Sequence, residues 1–197
     1  DFSTGTLTVT IASGEDAAED ELSIEHVGSG AGEIGVSGSN VSHAGTEIGT
    51  FTGGSSGNPL VITLDSDATE AETQALLRKI TYENTDTSDP TTGGRGVTFV
   101  LTDGDGGTSS TSTVTVTVSA SNDDPVLGSL DGGSVAYAEG DGAVSMDADA
   151  TVTDSDSADF STGTLTVTIA SGEDAAEDEL SIEHVGSGAG EIGVSGS

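Results

Sequence analysis

Threonine and apolar residues alternate with a period of two along Thr4-Gly-Thr-Leu-Thr-Val-Thr-Ile11 and again along Thr111-Ser-Thr-Val-Thr-Val-Thr-Val118. Successive side chains of an extended chain point to opposite faces, so each run predicts a half-buried antiparallel strand. Pro59–Leu64, Lys79–Glu83 and Gly96–Thr102 predict further strands, and Ser134–Ala138 and Ala148–Thr153 shorter ones. Clusters of Gly, Asp, Asn and Ser separate these runs, which is the spacing of a β-sandwich. One segment departs from the alternation. Asp67–Arg78 predicts a short helix, capped near Asp67 or Thr69, with Ala71, Ala75 and Leu76 turned toward a core. The expected class is mainly β with one short helix.

An internal repeat sets the larger organisation. Asp1–Ser39 recurs unchanged at Asp159–Ser197, an offset of 158 residues with all 39 positions identical. Identity over that length points to recent duplication and predicts a tandem array. Its 158-residue period is too long for a solenoid repeat, so each unit is a domain. The linker Asn122-Asp-Asp-Pro125 then divides the chain into 1–124, the C-terminal part of one unit, and 125–197, the N-terminal part of the next. Each piece is expected to expose strand edges and half a core. Completion would come from neighbouring repeats of the same chain or from strands donated by identical subunits. Repulsion between acidic units places the continuous array first, and the two copies are expected to form equivalent strands.

Charge narrows the possible partners. The chain carries 35 Asp and Glu against 3 Lys and Arg, a formal net charge of −32. Eight of the carboxylates and none of the bases lie in the second copy, so one period carries −24. Such a chain repels phosphate backbones and anionic membrane surfaces, which argues against nucleic acid as a partner. No apolar run approaches the roughly 18 residues of a transmembrane helix, so membrane insertion is not expected. The chain has no Cys, which excludes a disulfide framework, a thiolate zinc site and a cysteine nucleophile. High charge with few aromatic residues would suit disorder, but the strong apolar patterning argues for folding.

Some of the carboxylates are paired in turns. Asp103-Gly-Asp105 and Asp154-Ser-Asp156-Ser-Ala-Asp159 set alternate carboxylates in short Gly/Ser turns. Side-chain and carbonyl oxygens can converge there, and Ca²⁺ takes six to eight such hard ligands. Neither turn is an EF-hand, because the twelfth position falls on Val114 or Leu165 instead of Glu. The competing reading is that Asp-Gly simply makes good hairpin turns. The run Glu15-Asp16-Ala-Ala-Glu19-Asp20-Glu21 reads differently, as a solvated face.

The order of phrases carries a resemblance. The Asp154-Ser-Asp156 turn precedes a Gly-Thr-Leu-Thr-Val strand and a loop into Asp20-Glu-Leu-Ser-Ile24; Gly-Thr-Phe-Thr-Gly near Phe51, the Ala-Leu-Leu-Arg helix and Ile80-Thr-Tyr-Glu-Asn-Thr85 follow. Val97-Thr-Phe-Val-Leu-Thr-Asp-Gly-Asp-Gly-Gly107, a Thr/Val strand and Asn122-Asp-Asp-Pro125 close the unit. Taken as a set, this resembles the cadherin-like tandem repeats of large bacterial surface and secreted proteins, including giant adhesins. The resemblance implies a Greek-key, Ig-like β-sandwich stacked end to end, extracellular or on the cell surface, with calcium at the junctions. It implies ligands at Glu139, at Asp154 and Asp156, at Asp103 and Asp105, and at Asn122 and Asp123 of the linker. The fuller animal linker has a further Asp upstream, where Ser119 or Ala120 stands here, which implies one or two ions instead of three.

Enzyme signatures are weak. Gly30-Ala-Gly-Glu-Ile-Gly35 matches G-x-G-x-x-G by letter but leads into Gly, Ser and Asn instead of a helix. His26, its copy His184, and His43 lack companion ligands and read as loop or strand-face histidines. Lys79, beside the helix end, reads as half of an ordinary salt bridge. No enzymatic reaction is expected. The leading expectation is a calcium-stiffened structural repeat in an adhesin stalk or filament. The rival is a module binding a glycan, a cell surface or a partner protein through a loop such as Gly28–Ser56.

Overall fold

A computed structural model describes residues 2–130 and 132–194. Asp1 and Ser195-Gly196-Ser197, at the ends of the two identical copies, lie outside the described residues. The chain divides into two compact units, Asp1–Asp156 and Ser157–Ser197.

The first unit contains β1 (Thr6–Ser13), β2 (Asp20–Ile24), β3 (Ile34–Ser37), β4 (Asn40–His43), β5 (Thr46–Thr52) and β6 (Leu60–Leu64). The helix α1 (Glu70–Leu77), β7 (Ile80–Asn84), β8 (Gly93–Leu101), β9 (Ser112–Val118), β10 (Val126–Gly128) and β11 (Thr151–Thr153) follow. Seven strands form one antiparallel sheet in the order β3-β4-β5-β6-β1-β8-β9, while β2 pairs with β7 and β10 with β11. The expected mainly β class with one short helix is what the chain adopts, in antiparallel sheets consistent with a β-sandwich.

Alternation explains why β1 sits at the centre. Leu7, Val9 and Ile11 are buried, while Thr6, Thr8 and Thr10 occupy the half-covered opposite face. Paired on both sides, by β6 and β8, β1 satisfies its backbone groups from distant parts of the chain. Leu22 and Ile24 of β2 and Leu60, Ile62 and Leu64 of β6 join the β1 residues in one core with Ala68, Leu76 and Val97. Each buried Leu, Ile or Val side chain contributes roughly 1.5–3 kcal/mol by leaving water. The meander β3-β4-β5 adds Ile34, Val41 and Ile48. Its second turn, Ala44-Gly45, has both residues at positive φ (53° and 81°), the combination that matches strand twist in a two-residue hairpin.

Several expectations are corrected. The buried apolar side chains, Leu7 to Val97, all lie within residues 1–124, and β3 and β9 end the sheet as edges. Ser134–Ala138 is not a strand, since an alternating run without a partner has nothing to pair with. Only Thr151–Thr153 of the expected strand Ala148–Thr153 pairs. On α1, Leu76 is buried and Ala75 packs against the core as expected, but Ala71 faces solvent and Thr73 is buried instead. Gly28–Ser56, expected as a loop, holds β3, β4 and β5.

The second unit repeats the local geometry of the first copy without its strands. In the first copy the Asp16 N–H donates to Asp20 Oδ2 at 2.7 Å; the Asp174 N–H donates to Asp178 Oδ2 at 2.7 Å. His26 Nδ1 accepts the Val36 N–H at 2.8 Å, and His184 Nδ1 accepts that of Val194 at 2.8 Å. Yet no strand lies within 159–194 among the described residues. The two copies are therefore not equivalent strands, contrary to expectation. Strands need partners, and the partners of the first copy lie within β4 to β9.

Candidate functional site

The antiparallel pairing of β10 with β11 sets Val126 opposite Thr153, so the residues before one strand lie beside those after the other. This brings the linker to the Asp154-Ser-Asp156 turn. The Asp123 N–H donates to Asp156 Oδ2 at 2.9 Å, and the Ser155 hydroxyl donates to Asp123 Oδ2 at 2.6 Å. The Asp156 N–H donates to Asp154 Oδ1 at 3.2 Å, and Asn122 Nδ2 donates to the Asp123 carbonyl at 2.7 Å. Four of the seven expected ligands thus share one neighbourhood.

The other three occupy separate turns. Asp103 Oδ1 accepts the N–H groups of Asp105 at 3.0 Å and Gly107 at 2.8 Å, closing the loop after β8 on itself. Those N–H groups, Gly107's foremost, hold the Asp103 carboxyl below its ordinary range. Gly104, with φ of 79°, lets this loop rest on the N-terminal segment, where a Cβ would collide with the Ser3 carbonyl oxygen. Glu139 lies in the turn made by the Ala138 N–H donating to Asp141 Oδ2 at 2.9 Å. Among the described residues, no group of three or more His, Asp or Glu is gathered in a form that could hold a metal ion. The donor chemistry around Asp123 still suits a hard cation, being made of carboxylate, amide, hydroxyl and carbonyl oxygens.

The acidic run Glu15–Glu21 is not simply a solvated face. Asp20 is 1 % exposed, because β2 alternates Asp20, Leu22 and Ile24 inward. Arg95 Nε of β8 donates to Asp20 Oδ2 at 2.7 Å, and Tyr82 Oη and Asn84 Nδ2 of β7 donate to Oδ1 at 2.5 and 3.1 Å. The Arg95 Nη2 donates to the Thr91 carbonyl at 2.6 Å. Burial pushes the Asp20 carboxyl up, but the bonds from Arg95, Tyr82 and the Asp16 N–H outweigh it and leave it below its ordinary value. Burial and the Asp20 charge push the Tyr82 phenol up. This network ties β2 and β7 to the large sheet through one buried ion pair. It was legible as an inward position in Asp20-x-Leu22-x-Ile24, facing one of only three bases.

The remaining expected contacts are ordinary. Lys79 Nζ lies 2.9 Å from Glu25, the salt bridge expected of it. His26 lines a shallow concavity on the meander with Asn40, Ser42 and Glu47, and no Phe, Tyr or Trp borders it. Among the described residues no helix is long and apolar enough to cross a membrane. No protein-family model, curated protein or solved structure matches this chain.

Proposed function

We propose that this chain is a structural tandem-repeat module of an extracellular surface filament or adhesin stalk, resembling cadherin-like repeats and stiffened by calcium where successive modules meet. The observation that carries this reading is the meeting of Asn122 and Asp123 with Asp154 and Asp156, at the point where the linker enters the following segment. With −24 per period, neighbouring modules repel and their linkers are loose without cations. A divalent ion held by Asp123, Asp154 and Asp156, with Asn122 and nearby carbonyls, cancels that repulsion and fixes the linker. Glu139, Asp103 and Asp105 belong to the same reading as ligands recruited when ion and neighbouring module are both in place. Affinities of roughly 10⁻⁴–10⁻³ M suit calcium outside the cell.

Calcium titration of the full chain, followed by thermal melts and solution scattering, tests this. Calcium at tenfold its Kd should add about 1.4 kcal/mol of stability through mass action, reversed by EDTA. Asp123→Ala with Asp156→Ala should abolish the gain. If EDTA changes neither the melting temperature nor the scattering profile, the reading fails. The second reading, recognition of a glycan or partner protein, rests on the concavity beside His26. A glycan array probed with the chain separates the two, since a stalk repeat binds nothing there.

A further inference from the structure

We propose that the His26 imidazole is a pH-sensitive latch that closes the outer edge of β3 at neutral pH and releases it in mild acid. The inference is independent of calcium and of the stalk reading. β3 is an edge strand of the large sheet, so its backbone groups facing away from β4 need other partners. A strap of residues 26–28 supplies them. The Val27 and Gly28 N–H groups donate to the Ile34 carbonyl at 2.8 and 3.2 Å, and the Val36 N–H donates to His26 Nδ1 at 2.8 Å. Gly35, between those two residues of β3, lets the strap lie close. A Cβ there would stand 2.8 Å from the Gly28 carbonyl oxygen.

Two of these three bonds join backbone groups, which pH leaves alone. The third forms only while Nδ1 is unprotonated, so the closed strap holds His26 as the neutral tautomer with its proton on Nε2. The same bond recurs between His184 Nδ1 and the Val194 N–H at 2.8 Å, which assigns it to the local sequence. Protonation sets a second N–H against that of Val36, and the bond is lost. A free histidine titrates at about pH 6.5 and a free carboxylate at about 4, so mild acid is the range in which the imidazole answers.

The charges around the ring favour its protonated form. Glu47 of β5 lines the same concavity as His26 and accepts from Asn40 of β4 at 2.8 Å. Glu33, in the loop before β3, accepts the Gly30 N–H at 2.7 Å. Glu25, beside His26 in the chain, is paired with Lys79 at 2.9 Å, while His43 of β4 lies 3.6 Å from Glu72 of α1. Among the described residues no Lys or Arg lines the concavity. The ring is thus set between an amide that needs it neutral and carboxylates that attract its cation.

NMR on the full chain tests the latch. At pH 7.5 the ring nitrogen shifts should place the proton on Nε2, and the Val36 amide should be protected from exchange. Between pH 7.5 and 5.5 the protection factor of that amide should fall about tenfold or more, following the titration of the His26 ring, while the amides of β1 stay level. His26→Asn puts Oδ1, an acceptor that does not titrate, in the place of Nδ1, and His26→Leu removes the acceptor. The pH dependence should vanish in both, with Val36 protection kept in the first and lost in the second. The proposal is overturned if the neutral ring carries its proton on Nδ1, or if Val36 is as protected at pH 5.5 as at 7.5. It is equally overturned if His26→Asn keeps the full pH dependence.

Discussion

The same 39 residues occur twice in this chain and meet two different fates. In the first copy Val9 is fully buried and Ile24 is 7 % exposed; their counterparts Val167 and Ile182 are 61 % and 71 % exposed. The turns do not differ. Thr4 and Thr162 share a positive φ, of 67° and 69°, and the Asp-turn and histidine bonds recur at matching distances. The comparison separates two levels of structure. A turn closes over three to ten residues and carries its own donors and acceptors. A strand is completed only by another strand: the first copy is paired by strands within β4 to β9, and among the described residues no strand pairs with the second.

Hydrogen exchange offers the largest contrast. The two copies share one sequence and therefore one set of intrinsic exchange rates, so any difference between them is structural. Amides of β1 are bonded to β6 and β8 and should open only with the whole unit, whereas those around Leu165 should exchange almost freely. With a global stability of about 5 kcal/mol or more, rates should differ on the order of 10³-fold. Peptides common to both copies should give two isotope envelopes of equal area. A single envelope would mean that the copies are equally paired or equally open.

The buried charge gives the next contrast. Asp20→Ala leaves Arg95 unpaired in the core and should cost about 3–5 kcal/mol, read from denaturant melts. Asp178→Ala, the same change in the same local sequence, should stay within about 0.5 kcal/mol. Similar losses at both positions would show that the second copy also has a cationic partner.

Acid extends that test. The Asp20 carboxyl sits below its ordinary value, so its contribution is present above the unfolded pKa of about 3.9 and is lost as pH falls through the lower folded value. Protonation of the many surface carboxylates acts in the opposite sense by relieving repulsion. The stability gap between the parent and Asp20→Asn isolates the one group. That gap should be flat from pH 7 to about 5 and shrink below about pH 4. A gap that widens on acidification would reverse the assignment.

Much of the first unit was legible in the sequence because Thr/apolar alternation marks β1 and β9 directly, while the apolar-rich runs Leu60–Leu64, Val97–Leu101 and Ile80-Thr-Tyr mark β6, β8 and β7. The meander was not, since Gly35 and Gly49 interrupt the alternation and its pairing rests on hairpin turns. Ser134–Ala138 has the alternation and lacks a partner, which is the lesson of the second copy in miniature. On α1, apolar spacing found Ala75 and Leu76 and erred only at Ala71, where Thr73 is buried instead, because an alanine gains little from burial. Within the candidate site, the meeting of Asp123 with Asp154 and Asp156 follows from two short strands flanking it. Nothing in residue spacing alone relates Asp103 or Glu139 to that place; Asp103 closes its own turn, and Glu139 lies in one that Asp141 closes.

The smallest contrast concerns the surface. Glu25 lies 2.9 Å from Lys79, and both side chains are substantially exposed. Its counterpart Glu183 belongs to a copy without a single base. Water screens an exposed pair, and holding two long side chains in one geometry costs entropy, so such pairs contribute about 0–1 kcal/mol. Glu25→Gln should therefore lower stability by less than about 1 kcal/mol, while Glu183→Gln should leave it unchanged or raise it slightly by removing one charge from a strongly negative chain. Salt distinguishes the two effects. Near 1 M, where the screening length falls to about 3 Å, both the loss at Glu25 and any gain at Glu183 should disappear. A loss at Glu25 that persists in high salt would mean that this glutamate acts through packing against β7 and not through its charge.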